Sequence, residues 1–273
     1  MKSGLSSITT ILIGLLPWLA CDAAASTIQV APGYDIDKAY RLAVAAECTY
    51  HINRDGPLWS QGDPLKCLKV VPEFAALHES DLVAWIAPDN RCGSGPGIDG
   101  YLLIRSGNEV ILAIRGTQPP IPNHPSDSTT LMDWLNDFNT APKDGFHAGF
   151  LRSWECIRDH VRQSSDLAEF LASRPGGANF LVTGHSKGGA ISIIAAIKMS
   201  DPAEWPKPLR APDGVYAFEA ARPVTIDEAR KHPDLSHLWR LEYKDDIVPL
   251  LPPGAWLNSP DQKILKDLLP GAE

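Results

Sequence analysis

The sequence predicts an α/β fold, a mostly parallel central sheet flanked by helices, and two observations carry the expectation. The apolar run "NFLVTG" passes without a linker into "KGGAISIIAAIKM", apolar on nearly every face, so a strand runs straight into a buried helix. Two more short apolar runs, "GVYAF" and "HLWRLEY", follow it. Helices lying between apolar strands are the pattern of a sheet with parallel pairs.

The elements follow in order. In "IDKAYRLAVAAECTYHI", Ile36, Ala39, Tyr40, Ala43 and Val44 recur at helical spacing, so an amphipathic helix is expected to open the mature chain on that face. "DGYLLIRSGNEVILAIRGT" reads as two short strands around the turn "SGNE", a hairpin. "FHAGFLRSWECIRDHVRQSSDLAEFLAS" reads as helix from about Leu151, and the loop "RPGGA" leads into the strand "NFLVTG".

Composition bounds the function. The chain has 273 residues and a net charge of −8, with 44% hydrophobic and 21% charged residues, values ordinary for a globular protein with a full core. The acidic balance and the lack of a basic stripe exclude a large nucleic-acid footprint, which needs clustered Lys and Arg. At the N-terminus, one Lys, an apolar run from Ile8 to Ala20, and Ala23 and Ala25 in an A-x-A arrangement predict a secretory signal peptide over residues 1–25. That run is too short to cross a bilayer. A single domain is expected over 26–273. Outside the signal stand Cys48, Cys67, Cys92 and Cys156, an even number in an oxidising compartment, so two disulfides are expected. No Cys/His spacing points to a metal.

The stretch "VTGHSKGGA" holds Ser186 between Gly184 and Gly188 where strand meets helix. In a G-x-S-x-G of this context the serine sits on a sharp turn, its hydroxyl exposed above the sheet, with glycines where backbones approach closely. The next backbone N–H, that of Lys187, lies at a helix N-terminus and can bind a developing oxyanion. The competing reading is a Gly-rich turn that only lets an apolar helix pack tightly.

Five blocks in order, "ILAIRGT", "DWLNDF" with "HAGFLRSW", "VTGHSKGGA", "YAFEAARPV" and "YKDDIVPLLPP", resemble the fungal-type (class 3) lipases, serine esterases of the α/β-hydrolase fold that are secreted or periplasmic. The resemblance implies Ser186 as nucleophile, Asp246 as the triad acid with Asp245 a substitute, and Thr117 and Lys187 as the oxyanion-hole residues. It makes His185 a packing residue of the elbow. Glu219, after "YAF", is another carboxylate at a strand end but does not match the motif.

Two departures stand out. Lys187 occupies a position where leucine is usual, and a cation at a helix start is unfavourable by roughly 0.3–1 kcal/mol, so a compensating carboxylate is expected. The family's catalytic histidine follows the acid, whereas His51, His78, His124, His147, His160, His185, His232 and His237 all precede Asp246. Either the base belongs to a further C-terminal segment, the expectation adopted here, or the triad is not an ordinary one, with His147 the internal candidate.

After Thr117, a Pro-rich loop leads to Leu131, Trp134, Leu135 and Phe138 at i, i+3, i+4, i+7, either core packing or the lid that the resemblance implies at a lipid surface. The expected activity is hydrolysis of carboxylic esters of lipids through an acyl-enzyme, with no metal or organic cofactor. The alternatives are a catalytically impaired relative that binds acyl chains or a partner, and an esterase for small soluble esters.

Overall fold

Residues 33–52, 62–87, 99–117, 142–173, 176–201, 211–233, 235, 237–243 and 245–252 are described by the computed structural model. The signal segment, the stripe from Leu131 to Phe138 and residues 253–273 lie outside them.

Gly107, at φ 54°, makes the tight turn that folds β2 (Gly100–Ser106) back on β3 (Glu109–Ile114), with Ser106 opposite Glu109. This is the hairpin that the sequence predicts. β1 (Leu82–Ile86) adds antiparallel to β2, while β4 (Asn179–His185), β5 (Gly214–Phe218) and β6 (Leu238–Leu241) continue from β3 in parallel. The six strands lie in chain order, so each parallel step needs a crossover that returns the chain to the same sheet end. Helices α3 (Ala148–Gln163) and α4 (Ser165–Ala172) lie in the first crossover, α5 (Lys187–Lys198) in the second and α6 (Ile226–Arg230) in the third. α1 (Ile36–Cys48) and α2 (Pro64–Leu68) precede the sheet.

Strand alternation divides the core. On β2, Tyr101 and Leu103 pack in the cluster with α3, α4 and α5, while Leu102 and Ile104 pack in the cluster with α1 and α2. All four are fully buried, so the sheet is covered on both faces. Every residue of α5 from Lys187 to Ile197 is buried, as its all-round apolar pattern requires.

Three readings need correction. α1 is a helix, but it buries Ala39, Leu42, Ala45, Ala46 and Cys48, leaving Ile36 and Tyr40 71% and 62% exposed. Small side chains let the helix approach the sheet closely, and the disulfide joining Cys48 to Cys67 of α2 turns that face inward. The segment read as one helix from about Leu151 begins at Ala148 and is broken at Ser164. There ψ is 115° and the serine hydroxyl accepts from the Leu167 N–H, starting a second helix. "HLWRLEY" contributes only Leu238–Leu241 as strand. Of the two expected disulfides, Cys48–Cys67 has its Cα atoms 5.6 Å apart, and Cys156 is disulfide-bonded to a partner outside the described residues.

Candidate active site

The C-terminal ends of β3, β4, β5 and β6 share one edge of the sheet, and there the chain presents Thr117, Ser186, Glu219 and Asp246 in turn. Brought to a common edge, residues far apart in sequence become neighbours; in open α/β sheets this is where ligands bind.

Ser186 joins β4 to α5 at φ 57°, ψ −121°, a conformation that side-chain-bearing residues rarely adopt and that the surroundings must enforce. Its N–H donates to the Phe218 carbonyl at 2.9 Å, fastening the elbow to the end of β5. The two flanking glycines answer a question of space rather than of φ. A Cβ on Gly184 would lie 2.3 Å from the carbonyl of Gly188, and one on Gly188 would lie 2.2 Å from the carbonyl oxygen of Ile114. The helix is therefore pressed against both β4 and β3, and the strain is concentrated at the serine. Ser186 is 7% exposed, and its hydroxyl has no hydrogen-bond partner among the described residues.

The turn after β3 is pressed on the same elbow. A Cβ on Gly116 would lie 2.7 Å from the His185 carbonyl oxygen and 2.2 Å from the Tyr50 hydroxyl. The Thr117 hydroxyl is buried and has no partner among the described residues.

Lys187, the first residue of α5, has its expected carboxylate. Its ammonium lies 3.0 Å from Oδ1 of Asp99, both side chains being fully buried. Nothing in the sequence nominated Asp99; a buried cation demanded an acid but not this one. Arg115, also buried, lies close by. Burial lowers its pKa to about 10, and the charge of Asp99 acts in the opposite direction.

None of the described histidines is bonded to the Ser186 hydroxyl. His185 points Nδ1 at the Tyr50 hydroxyl, 2.9 Å away, and burial lowers its pKa while Glu47 and Asp246 oppose the shift. His147 caps α3: Nδ1 accepts from the Phe150 N–H at 3.4 Å and the ring stacks on Phe150 at 4.1 Å. Complete burial, with the cation of Lys187 adding to it, lowers the His147 pKa to about 4, so the ring is neutral near pH 7 and a weak base. His160 meets the Tyr101 hydroxyl and His232 meets Glu228.

Asp246 sits in the loop after β6. Its Oδ1 accepts from the Val248 N–H at 2.8 Å, an Asx-type turn that fixes the carboxylate, whereas Asp245 is exposed. Its neighbour across the strand ends is Glu219, held at φ 46° with Oε1 accepting from the Tyr243 N–H at 2.5 Å. Burial raises the Glu219 pKa against that N–H, and the nearby charge of Asp246 raises it further.

Residues 111–256, more than half of the chain, match the class 3 lipases. The chain belongs to the class 3 lipase family. Among its lipase relatives, the secreted mono- and diacylglycerol lipase 1 of Fusarium solani is 26% identical over 177 residues, 59% of this chain and 45% of that protein. Lipase A of Sodiomyces alcalophilus is 26% identical over 260 residues, 79% of this chain and 58% of that one. The chain thus spans about half the length of these relatives. A solved lipase from Rhizopus microsporus var. chinensis has 23% identity and a TM-score of 0.54, covering 81% of this chain and 70% of its own. The fold of this class 3 lipase is that of the α/β hydrolases.

Proposed function

We propose that the protein hydrolyses carboxylic esters of lipids by acyl transfer through Ser186. The observation that carries this reading is the elbow itself. A serine forced to φ 57° between two glycines that admit no Cβ, its hydroxyl without a hydrogen-bond partner among the described residues, has been presented at a cost that packing alone does not call for. In the reaction the serine oxygen attacks the ester carbonyl while a base takes its proton. The carbonyl oxygen becomes an oxyanion facing the Lys187 and Thr117 N–H groups, and the Thr117 hydroxyl is a third donor. Collapse expels the alcohol, and water then attacks the acyl-enzyme to release the acid and restore the serine. Asp246 is the acid that orients the base and stabilises it once charged.

The same proposal places residues 1–25 as a signal peptide and 26–273 as one secreted or periplasmic domain, a location that the Cys48–Cys67 disulfide supports. It also gives the apolar stripe Leu131, Trp134, Leu135 and Phe138 the role of a lid touching a lipid surface.

A second reading rests on a specific observation. With no described histidine bonded to Ser186, a lipase-like protein of impaired catalysis that binds acyl chains or a partner accounts for the same fold. A fluorophosphonate probe and p-nitrophenyl esters of short and long chain separate the two. The first reading expects labelling at Ser186, loss of labelling and turnover in Ser186→Ala, and preference for long chains. Absence of labelling, with retention of a fluorescent fatty acid by the folded protein, would establish the second.

A further inference from the structure

Asp99 is buried at the start of the hairpin, and three contacts fix it there. Its carbonyl accepts from the Ala87 N–H at 2.8 Å, the next carbonyl, of Gly100, accepts from the Arg115 N–H at 2.9 Å, and its carboxylate meets the Lys187 ammonium at 3.0 Å. The Arg115 guanidinium lies over the same backbone: a Cβ on Gly100 would be 3.6 Å from its Nε and Cζ. This short segment thus meets two elements, through its carboxylate and through the adjoining carbonyl. Lys187 belongs to the elbow helix, and Arg115 to the turn after β3. Among the described residues the other titratable groups here are His147 beside Lys187, neutral near pH 7 through burial, and Tyr50 beside Arg115, neutral there as an ordinary phenol is.

Taking such charges out of water gains little net stability, because desolvation offsets their attraction. What a buried ion pair does provide is a short tie between the elements that carry its two charges. The elements tied here carry the two backbone donors of the proposed oxyanion hole, the N–H of Lys187 and, two residues after Arg115, the N–H of Thr117. We propose that Asp99 is a positioning residue that sets the separation of these two donors: its carboxylate holds the Lys187 side chain while the adjoining Gly100 carbonyl holds the Arg115 N–H. Its catalytic consequence rests on Ser186 being the nucleophile; the tie itself does not.

The test uses the full chain and the variants Asp99→Asn, Lys187→Met and the double variant that removes both charges. Amide hydrogen exchange reads the tie without requiring activity, and the rate of fluorophosphonate labelling reads its consequence. Asp99→Asn should speed exchange about tenfold in both segments 114–117 and 186–190, leaving α4 unchanged. Labelling should slow about a hundredfold, as a misplacement near 1 Å would cause. The double variant, in which Lys187 no longer strands a buried charge, should fold even if Asp99→Asn does not, and should label as slowly. Labelling and exchange like wild type in the double variant would overturn the proposal. So would faster exchange spread over the whole molecule, or confined to the elbow. If the wild-type protein is not labelled at Ser186, the nucleophile reading falls, and hydrogen exchange alone decides for or against the tie.

Discussion

Gly188→Ala tests whether the elbow is held by backbone contact. The added methyl would lie 2.2 Å from the Ile114 carbonyl oxygen and 2.9 Å from the Arg115 carbonyl carbon. Carbon and carbonyl oxygen ordinarily approach to about 3.3–3.6 Å, so an overlap of roughly 1 Å must be relieved. Both obstructing atoms are main chain, and no side-chain rotation moves them. The start of α5 must therefore withdraw from β3 by about that amount, carrying the Lys187 N–H away from the turn that bears Thr117. Overpacking of this kind costs about 1–3 kcal/mol. In a domain of this size that lowers Tm by about 2–4 °C per kcal/mol. A shift near 1 Å at a reacting centre lowers the rate about a hundredfold. Thermal melting and the fluorophosphonate labelling rate measure the two effects. Gly176→Ala, where a Cβ would meet nothing within 4 Å, is the control and should be silent in both. If Gly188→Ala melts and labels like Gly176→Ala, the helix is not pressed on β3 and the account of the elbow fails.

If Asp246 orients the base, Asp246→Asn should slow labelling far more than Glu219→Gln, which stays within about threefold; the reverse order would transfer the acid role to Glu219. Replacing Cys48 and Cys67 by serine opens a link across a sequence separation of 19 residues and should lower stability by about 3 kcal/mol in denaturant titration. Thiol alkylation of the unreduced protein should find no free thiol among Cys48, Cys67, Cys92 and Cys156. His147 binds its proton near pH 4 when folded and near pH 6.5 when unfolded, so stability is lost as pH falls through that window and is untouched above it. The stability difference between wild type and His147→Asn, which keeps a capping side chain, should change by about 3 kcal/mol between pH 7 and pH 4. An unchanged difference would mean that His147 is already solvated in the native state.

The sheet was legible because its strands are apolar on both faces and punctuated by Gly, as in "SGNE" and "RPGGA"; such runs have no other way to satisfy their backbone and bury their side chains. What misled was the choice of face. On α1 the large apolar residues Ile36 and Tyr40 suggested the buried stripe, yet alanines fill it, since close approach to the sheet favours small side chains over large ones. β1 went unread because a five-residue strand at the sheet edge, with one side chain exposed, has too little periodicity to stand out.

At the site, the residues carried by local geometry could be read from sequence and those carried by tertiary contact could not. Ser186 and its glycines form a strand-turn-helix junction within five residues. The need for a carboxylate at Lys187 was equally readable, because a cation that opens a buried helix cannot be left without one. The identity of that carboxylate was not, since Asp99 lies 88 positions earlier and meets Lys187 only once β2, β3 and β4 have paired. The same holds for Glu219 and Asp246, which become partners only when β5 and β6 align and the loop at Tyr243 folds back on Glu219. A lysine at position 187 is thus not a local matter. The cation must have its anion wherever the helix goes, so the elbow, the hairpin that carries Asp99 and the turn that carries Arg115 and Thr117 are constrained as one unit.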